Sequence, residues 1–356
     1  MAWPSRRPRP AWARGCRTPS SNRPASSCAR AADPSYETPM LIKIVGLHAP
    51  NAPRLRALLG AAHAVQALDA FPAQGEIAAD VVIANAIDAD AAVRLRCRLV
   101  HVPGAGAEQI ALPALPAGTT VCNVHGHEVP IAEFTLHAIL EHCLQLWQYP
   151  ARLDAEAFAE VYAARPQHGE AAGRTVVIVG FGHIGQEIAR RARAFGMQVL
   201  AVTRSGRPHD LADESVAVAA LDGVLPRADV LVLCCPLDEG TRGLIGAQQL
   251  ALLPAGALLV NVARAEVVDE TALYEALKTQ RLGRAALDVW YQYPKKGQPP
   301  VAPSRHPIQA LPNVRATPHI SAITPALLAR RYGFMADNIA RLEQGQPLRN
   351  VIHPAT

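Results

Sequence analysis

Short apolar runs alternate along most of this chain with segments whose apolar positions recur at three- and four-residue spacing. Strand-like runs at residues 41–47, 80–86, 98–103 and 119–124 are separated by helical patterns at 54–62, 91–96 and 110–115. A second block repeats the alternation, with strands at 175–180, 198–204, 229–237, 257–262 and 284–290 and helices at 184–195, 247–253 and 270–280. This order predicts parallel strands joined by crossover helices, with both faces of each sheet covered. Between the blocks, residues 128–147 are apolar on nearly every face, which predicts a buried helix. A last long helix is expected at 325–342, after a Pro- and Lys-bearing loop at 294–307 and a closing segment at 316–319. No solenoid-type repeat is present. The pattern predicts two α/β domains, residues 40–127 with 318–356 and residues 128–317.

Composition narrows the class. A chain of 356 residues, half of them hydrophobic, is long enough for two domains with substantial cores and excludes collagen-like, coiled-coil and disulfide-scaffold proteins. Seven cysteines, an odd number with no C-x-x-C spacing, give neither a disulfide framework nor a zinc site; no metal is expected, and a reducing compartment, the cytoplasm, is. No stretch approaches 18 uninterrupted apolar residues, so no membrane partner is expected. The net charge of +5 resides in residues 1–39, which hold seven arginines and two acids; the other 28 basic residues meet 28 acidic ones. A neutral body does not offer the basic surface that nucleic acid requires.

Residues 1–39, rich in Arg, Pro and Ser without an apolar period, are expected to be a disordered extension. Their Arg and Ser content resembles an organelle transit peptide, but seven prolines oppose the amphipathic helix such a leader needs. No apolar run follows the arginines, which excludes a secretory signal. Met40 directly precedes the first strand and is a natural start for the folded protein.

Gly180-Phe181-Gly182-His183-Ile184-Gly185 follows a predicted strand and opens a predicted helix. G-x-G-x-x-G alone is a weak signal, but between a strand and a helix it is a dinucleotide fingerprint. Gly180 permits the tight turn, Gly182 lets backbone approach a pyrophosphate, and Gly185 lets the helix pack closely on the strand. At the end of the next strand, where an Asp or Glu would bind a ribose 2′-hydroxyl, the chain reads Thr203-Arg204-Ser205. Without the carboxylate, Arg204 and the flanking hydroxyls suit a 2′-phosphate, so NADP(H) is preferred over NAD(H). The plain alternative is a solvated Arg204 and an NAD enzyme.

Hydride transfer to a 2-oxo acid also needs a cation for the carboxylate and a proton donor beside the ketone. Arg264 follows the apolar run 259–263, at the carboxyl end of a predicted parallel strand, and His319 lies in Thr317-Pro318-His319. Either could be a surface residue if taken alone.

These segments, with Asn261-Val262-Ala263-Arg264, Val267-Val268-Asp269-Glu270 and Ala286-Leu287-Asp288-Val289, make the chain resemble a D-isomer-specific 2-hydroxyacid dehydrogenase over everything after the leader. The resemblance implies a Rossmann-type doubly wound domain plus a smaller flavodoxin-like substrate domain. It implies that Arg264 holds the substrate carboxylate and carbonyl and that His319 is the acid for reduction and the base for oxidation. Asp288 would sit near the nicotinamide carboxamide. Cofactor contacts are expected at Gly180, Gly182, His183, Ile184, Gly185, Thr203, Arg204, Ser205, Cys235, Pro236, Ala263 and Asp288, and substrate contacts at Gly104, Ala105, Gly106 and Arg264. The two glycines of the 104–106 loop also suit an anion nest, or a simple turn. The helix at 128–147 resembles the family's dimer-forming element, which implies a homodimer; an interdomain linker is the plainer reading.

The sequence departs from the family at one important place. A Glu normally precedes the Pro six residues after the Leu of the Leu-Asp-Val segment; here Tyr293 stands there, before Pro294, with Gln292 beside it. The family's Glu pairs with the histidine and favours its charged form, whereas a phenol orients the ring without charge. In related formate dehydrogenases an amide takes the place. A smaller departure is Ala265, where glycine is usual; alanine fits only if φ there is negative. The expected activity is therefore an NAD(P)-dependent reductase or dehydrogenase of small 2-oxo and 2-hydroxy acids, glyoxylate or hydroxypyruvate among them. The alternatives are a dinucleotide-sensing, corepressor-like binding protein and a formate-type dehydrogenase.

Overall fold

The first alternating block folds into a six-stranded sheet and the second into a seven-stranded one. The computed structural model describes residues 39–149, 152–294 and 297–355, so residues 1–38 of the expected extension lie outside the described residues. In chain order the strands are β1 (Leu41–Val45), β2 (Ala64–Leu68), β3 (Ile77–Ala78), β4 (Val81–Ile83), β5 (Leu95–Arg96), β6 (Leu99–His101) and β7 (Thr120–Cys122). There follow β8 (Thr175–Val179), β9 (Gln198–Thr203), β10 (Glu214–Ala217), β11 (Val230–Leu233), β12 (Leu258–Asn261), β13 (Arg284–Leu287), β14 (Val314–Ala316) and β15 (Val351–His353). The helices are α1 (Ala52–Leu59), α2 (Ala89–Arg94), α3 (Glu128–Leu144), α4 (Ala155–Ala164), α5 (His183–Ala194), α6 (Leu221–Val224), α7 (Ala247–Leu252), α8 (Glu270–Lys278) and α9 (Pro325–Glu343).

The smaller sheet has the order β15-β7-β6-β4-β1-β2, parallel except for β15, and its parallel strands follow the flavodoxin-like order. The larger runs β10-β9-β8-β11-β12-β13-β14, all parallel, and reverses direction between β8 and β11, the switch point of a doubly wound sheet. Alternate strand residues face opposite cores. Ile42 and Ile44 of β1 pack with α9 residues Tyr332, Met335 and Ile339, while Val45 faces the cluster that includes Val82 and Val100. Strand β8, Thr-Val-Val-Ile-Val, is a nearly continuous apolar run because helices cover both its faces. Helix α3 buries nine residues, His142 and Cys143 among them, and packs chiefly on α5. Among the described residues no helix is long and apolar enough to cross a membrane.

Several elements differ from the sequence expectation. The helix expected at 110–115 is a single 3-10 turn, Leu112–Ala114, because Pro113 and Pro116 remove amide donors. The helix expected at 91–96 is α2, set two residues earlier by Asp88, whose carboxylate accepts the Ala91 N–H at 2.8 Å. Edge strands β2 and β10 carry no apolar run, since β2 buries only Val65 and β10 buries no residue. The helix at 128 stops at Leu144, where Gln145 takes φ 52°.

The last strand is tied down by Asn338, fully buried in α9. Its Oδ1 accepts the Arg349 N–H at 3.0 Å, and its Nδ2 lies 3.0 Å from the Arg349 carbonyl and 3.2 Å from His101 Nε2. Replacing it by leucine strands those groups, so Asn338→Leu is expected to cost about 3 kcal/mol, read as a lower urea midpoint at unchanged slope.

Candidate active site

The sequence-predicted residues gather at the carboxyl ends of the parallel strands. Gly180, at φ 96°, ends β8 and donates its N–H to the Val202 carbonyl at 2.9 Å. A Cβ on Gly180 would lie 2.6 Å from the Cys235 backbone, and one on Gly185 would collide with the Gly180 carbonyl. Gly180 is therefore demanded by packing across the switch point and Gly185 by the close approach of α5 to the end of β8. Gly182 differs, because a Cβ there would meet nothing within 4 Å. It is the N-cap of α5, whose first turn holds no acidic residue and no side-chain cap. The helix start is thus open, with free N–H groups, and fits a phosphate.

At the end of β9 the Thr203 hydroxyl accepts the Gly206 N–H at 2.9 Å. The Arg204 side chain is 89% exposed, with Asp238 at 3.5 Å, and Ser205 is exposed as well. No carboxylate closes this strand, and the donors needed for a 2′-phosphate stand in solvent. Cys235 and Pro236 follow β11, and the Cys234 thiol donates to the Gly180 carbonyl at 2.9 Å. Burial raises the Cys235 thiol to about 11.

Arg264 leaves β12 through a turn clipped by Asn261. The buried Asn261 amide accepts the Ala263 N–H and donates to the Arg264 carbonyl, both at 3.0 Å. No ion pair engages the Arg264 guanidinium among the described residues; it bonds only the Ala263 carbonyl, at 2.7 Å. Ala265 is buried at the start of a 3-10 turn and is absent from the positive-φ residues, which is why alanine fits there.

His319 is held in the left-handed region, at φ 58°. Asp288, 1% exposed, accepts the Thr317 hydroxyl at 2.6 Å and the N–H groups of Ile320 and Ser321 at 2.8 and 2.9 Å. These bonds fix the loop that carries the histidine. Tyr293 completes the arrangement, with its hydroxyl 2.9 Å from His319 Nδ1 while it accepts the Trp290 N–H at 3.1 Å. The Gln292 amide makes no bond to the ring. Partial burial lowers the His319 pKa, with Arg264 adding to the effect and Asp288 opposing it.

One cavity of about 850 Å³ joins these groups: Arg264, His319, Ile184 of the glycine turn, Cys235 and the 104–106 loop line its wall. The loop is braced by Asn123, which donates to the Ala105 carbonyl at 2.7 Å, and Gly104 is open to solvent. An adjoining, mainly apolar chamber of about 730 Å³ lies against Leu47, Trp290, Tyr293, Val301 and His319. Sequence reasoning missed His48, Asn85, Glu108, Gln109 and Arg331 on the wall of the larger cavity. None sits in a motif; only the return of α9 to the first sheet brings Arg331 there. Among the described residues no group of His, Cys, Asp and Glu could hold a metal ion.

The His319 ring is expected to titrate below the ordinary histidine value. In Tyr293→Glu, a carboxylate against Nδ1 should raise the midpoint by about one unit or more. Histidine NMR titration of both proteins measures this, and equal midpoints would refute it.

Residues 136–321 match the family model described as D-isomer specific 2-hydroxyacid dehydrogenase, NAD binding domain. The chain is 32% identical over 263 residues to a D-3-phosphoglycerate dehydrogenase of Methanocaldococcus jannaschii, covering 72% of this chain and 48% of that protein. It is 40% identical over 164 residues to a hydroxypyruvate reductase of Thermotoga maritima, covering 46% and 51%. The chain thus spans about half the length of these curated relatives. A solved NADPH-dependent glyoxylate/hydroxypyruvate reductase of Sinorhizobium meliloti, in complex with NADP and sulfate, superposes with a TM-score of 0.68 at 26% identity, over 88% of this chain and 98% of that one. The protein belongs to the D-isomer-specific 2-hydroxyacid dehydrogenase family.

Proposed function

We propose that this protein is an NAD(P)-dependent reductase of small 2-oxo acids that also runs in the oxidative direction on 2-hydroxy acids. The observation that carries the reading is the shared wall of one cavity: a guanidinium at Arg264 with no ion pair among the described residues, the His319 ring, a glycine loop open at Gly104 and the start of α5. Residues 128–317 form the dinucleotide-binding domain in this reading, and residues 40–127 with 318–356 the substrate domain. The packing of α9 on β1 supports that division.

In the reducing direction Arg264 takes the substrate carboxylate in a two-pronged bond and polarises the ketone oxygen. The N–H groups of Gly104, Ala105 and Gly106 turn toward the same carboxylate. When bound, the reduced nicotinamide supplies a hydride to the carbonyl carbon. His319 gives the proton from Nε2 to the carbonyl oxygen, so that the 2-hydroxy acid leaves neutral at that oxygen. Tyr293 accepts from Nδ1–H in both states of the ring, so that Nε2 is the nitrogen that gives up and takes back the proton. Burial holds the Tyr293 phenol above its ordinary pKa, so it adds no charge. His183, Ile184, Cys235, Pro236, Ala263 and Asp288 border the cofactor, and Thr203, Arg204 and Ser205 favour NADP(H) through its 2′-phosphate.

A homodimer is supported by α4, which buries none of its residues and leaves Phe158 and Tyr162 exposed beside Leu153. The cytoplasm is the location that the cysteine usage favours. Sedimentation should give a dimer, and Phe158→Glu with Tyr162→Glu should shift it to monomer.

A panel of 2-oxo acids with NADPH and NADH, followed by absorbance, tests the activity. Turnover is expected with either cofactor, better with NADPH, and Arg204→Ala should raise the KM for NADPH about tenfold. His319→Ala should lower kcat by about 10²–10⁴-fold. Reduction needs the imidazolium, so its rate falls as pH rises through the lowered His319 pKa, whereas oxidation rises over the same range. In Tyr293→Glu the fall should move to higher pH. Tight cofactor binding with no turnover of any acid would instead favour the sensor reading.

A further inference from the structure

Arg264 is one of two guanidiniums on the cavity wall; the other is Arg331, near the start of α9. Its Nε is buried without a hydrogen-bond partner. The residues on either side are engaged: Arg330 donates to the Gly126 carbonyl at 2.9 Å, and the Tyr332 hydroxyl lies 2.8 Å from His48 Nδ1. No ion pair engages Arg331 among the described residues. Glu128, which attracts it at longer range, already accepts the Gly126 N–H at 2.8 Å and faces His127 at 3.8 Å.

The surrounding imidazoles do not share the charge. Burial first, and the Arg331 cation second, hold His48 and His127 at about 4, so both are neutral at neutral pH. Arg264 and Arg331 are then the fixed positive charges on the wall, against a single carboxylate, Glu108. A desolvated guanidinium without a partner is costly, and a cavity that carries one suits a ligand that brings the missing anion. The planar fork is matched by a carboxylate, which it binds through two parallel N–H bonds.

We infer that Arg331 is a specificity-determining residue that receives a second acidic group of the substrate, so that 2-oxo diacids are preferred over monoacids. One carboxylate lies at Arg264 and the 104–106 loop, the other at Arg331. A substrate with a neutral far end leaves the half-buried second guanidinium, with its buried Nε, without a partner, and this difference produces the discrimination. The inference rests on the reading of the cavity as a 2-oxo acid site.

The test compares kcat/KM for oxaloacetate and 2-oxoglutarate with that for 2-oxobutyrate and phenylpyruvate, in the native protein and in Arg331→Met and Arg331→Lys. The native protein is expected to favour the best diacid by about tenfold or more, the size of one charge-assisted bond. Arg331→Met should erase at least tenfold of that ratio, and Arg331→Lys, which keeps the charge but loses the fork, should retain part of it. Calorimetric titration with malate and 2-hydroxybutyrate in the presence of NADPH reads the same preference as binding. Absence of turnover with every acid, together with a malate preference that Arg331→Met abolishes, would sink the reductase reading while keeping this role for Arg331. A ratio unmoved by Arg331→Met, equal binding of diacid and monoacid, or phenylpyruvate as best substrate overturns the inference itself; the last outcome would direct attention to the apolar chamber beside His319.

Discussion

The buried carboxylate of Asp288 holds three donors from the segment Thr317–Ser321, and the geometry of the cleft depends on it. The bonds to Ile320 and Ser321 pull the backbone inward on one side of His319 and the Thr317 hydroxyl anchors it on the other. The residue between them is driven to φ 58°, a conformation that a bulky L-residue avoids unless its surroundings impose it. The ring is thereby turned toward Tyr293 and lines the cavity, while the residue stays open to solvent. Because Asp288 follows β13 and the histidine loop follows β14, one side chain couples two neighbouring strand ends. The carboxylate also acts electrostatically on His319, opposing the pKa depression that burial causes.

Much of this arrangement was legible in the sequence because it rests on local rules. The near-continuous apolar runs of β8, β11 and β12 could only be strands covered on both faces, and the glycine turn between β8 and α5 has a steric reason at Gly180 and at Gly185. Edge strands β2 and β10 were illegible for the opposite reason, since a strand half open to water has no apolar run to reveal it. Helix α4 was missed as well: it buries no residue, so its apolar side chains mark no inward face. Asp288 was expected beside the cofactor, but its three loop bonds join segments about thirty positions apart and leave no periodic trace. Arg331 is the extreme case. One arginine among several on an amphipathic helix gains its meaning only when α9 crosses back to the first sheet.

Tyrosine in place of the family's glutamate changes the charge balance of the whole cleft. A carboxylate at position 293 would neutralise one unit of positive charge and hold the histidine protonated to higher pH. The phenol keeps the geometry, with a bond to Nδ1 at 2.9 Å, but surrenders the charge. Two guanidiniums then line the cavity with an imidazole whose charged form only Asp288 favours, against one wall carboxylate, Glu108. Such a cleft attracts anions more strongly than one with a glutamate relay, and it loses its proton donor at lower pH. Both effects have one origin, so a substitution that restores the relay must also weaken the attraction for an acidic substrate. Affinity for the anion and the working pH range of the acid are therefore set against each other by the residue at 293.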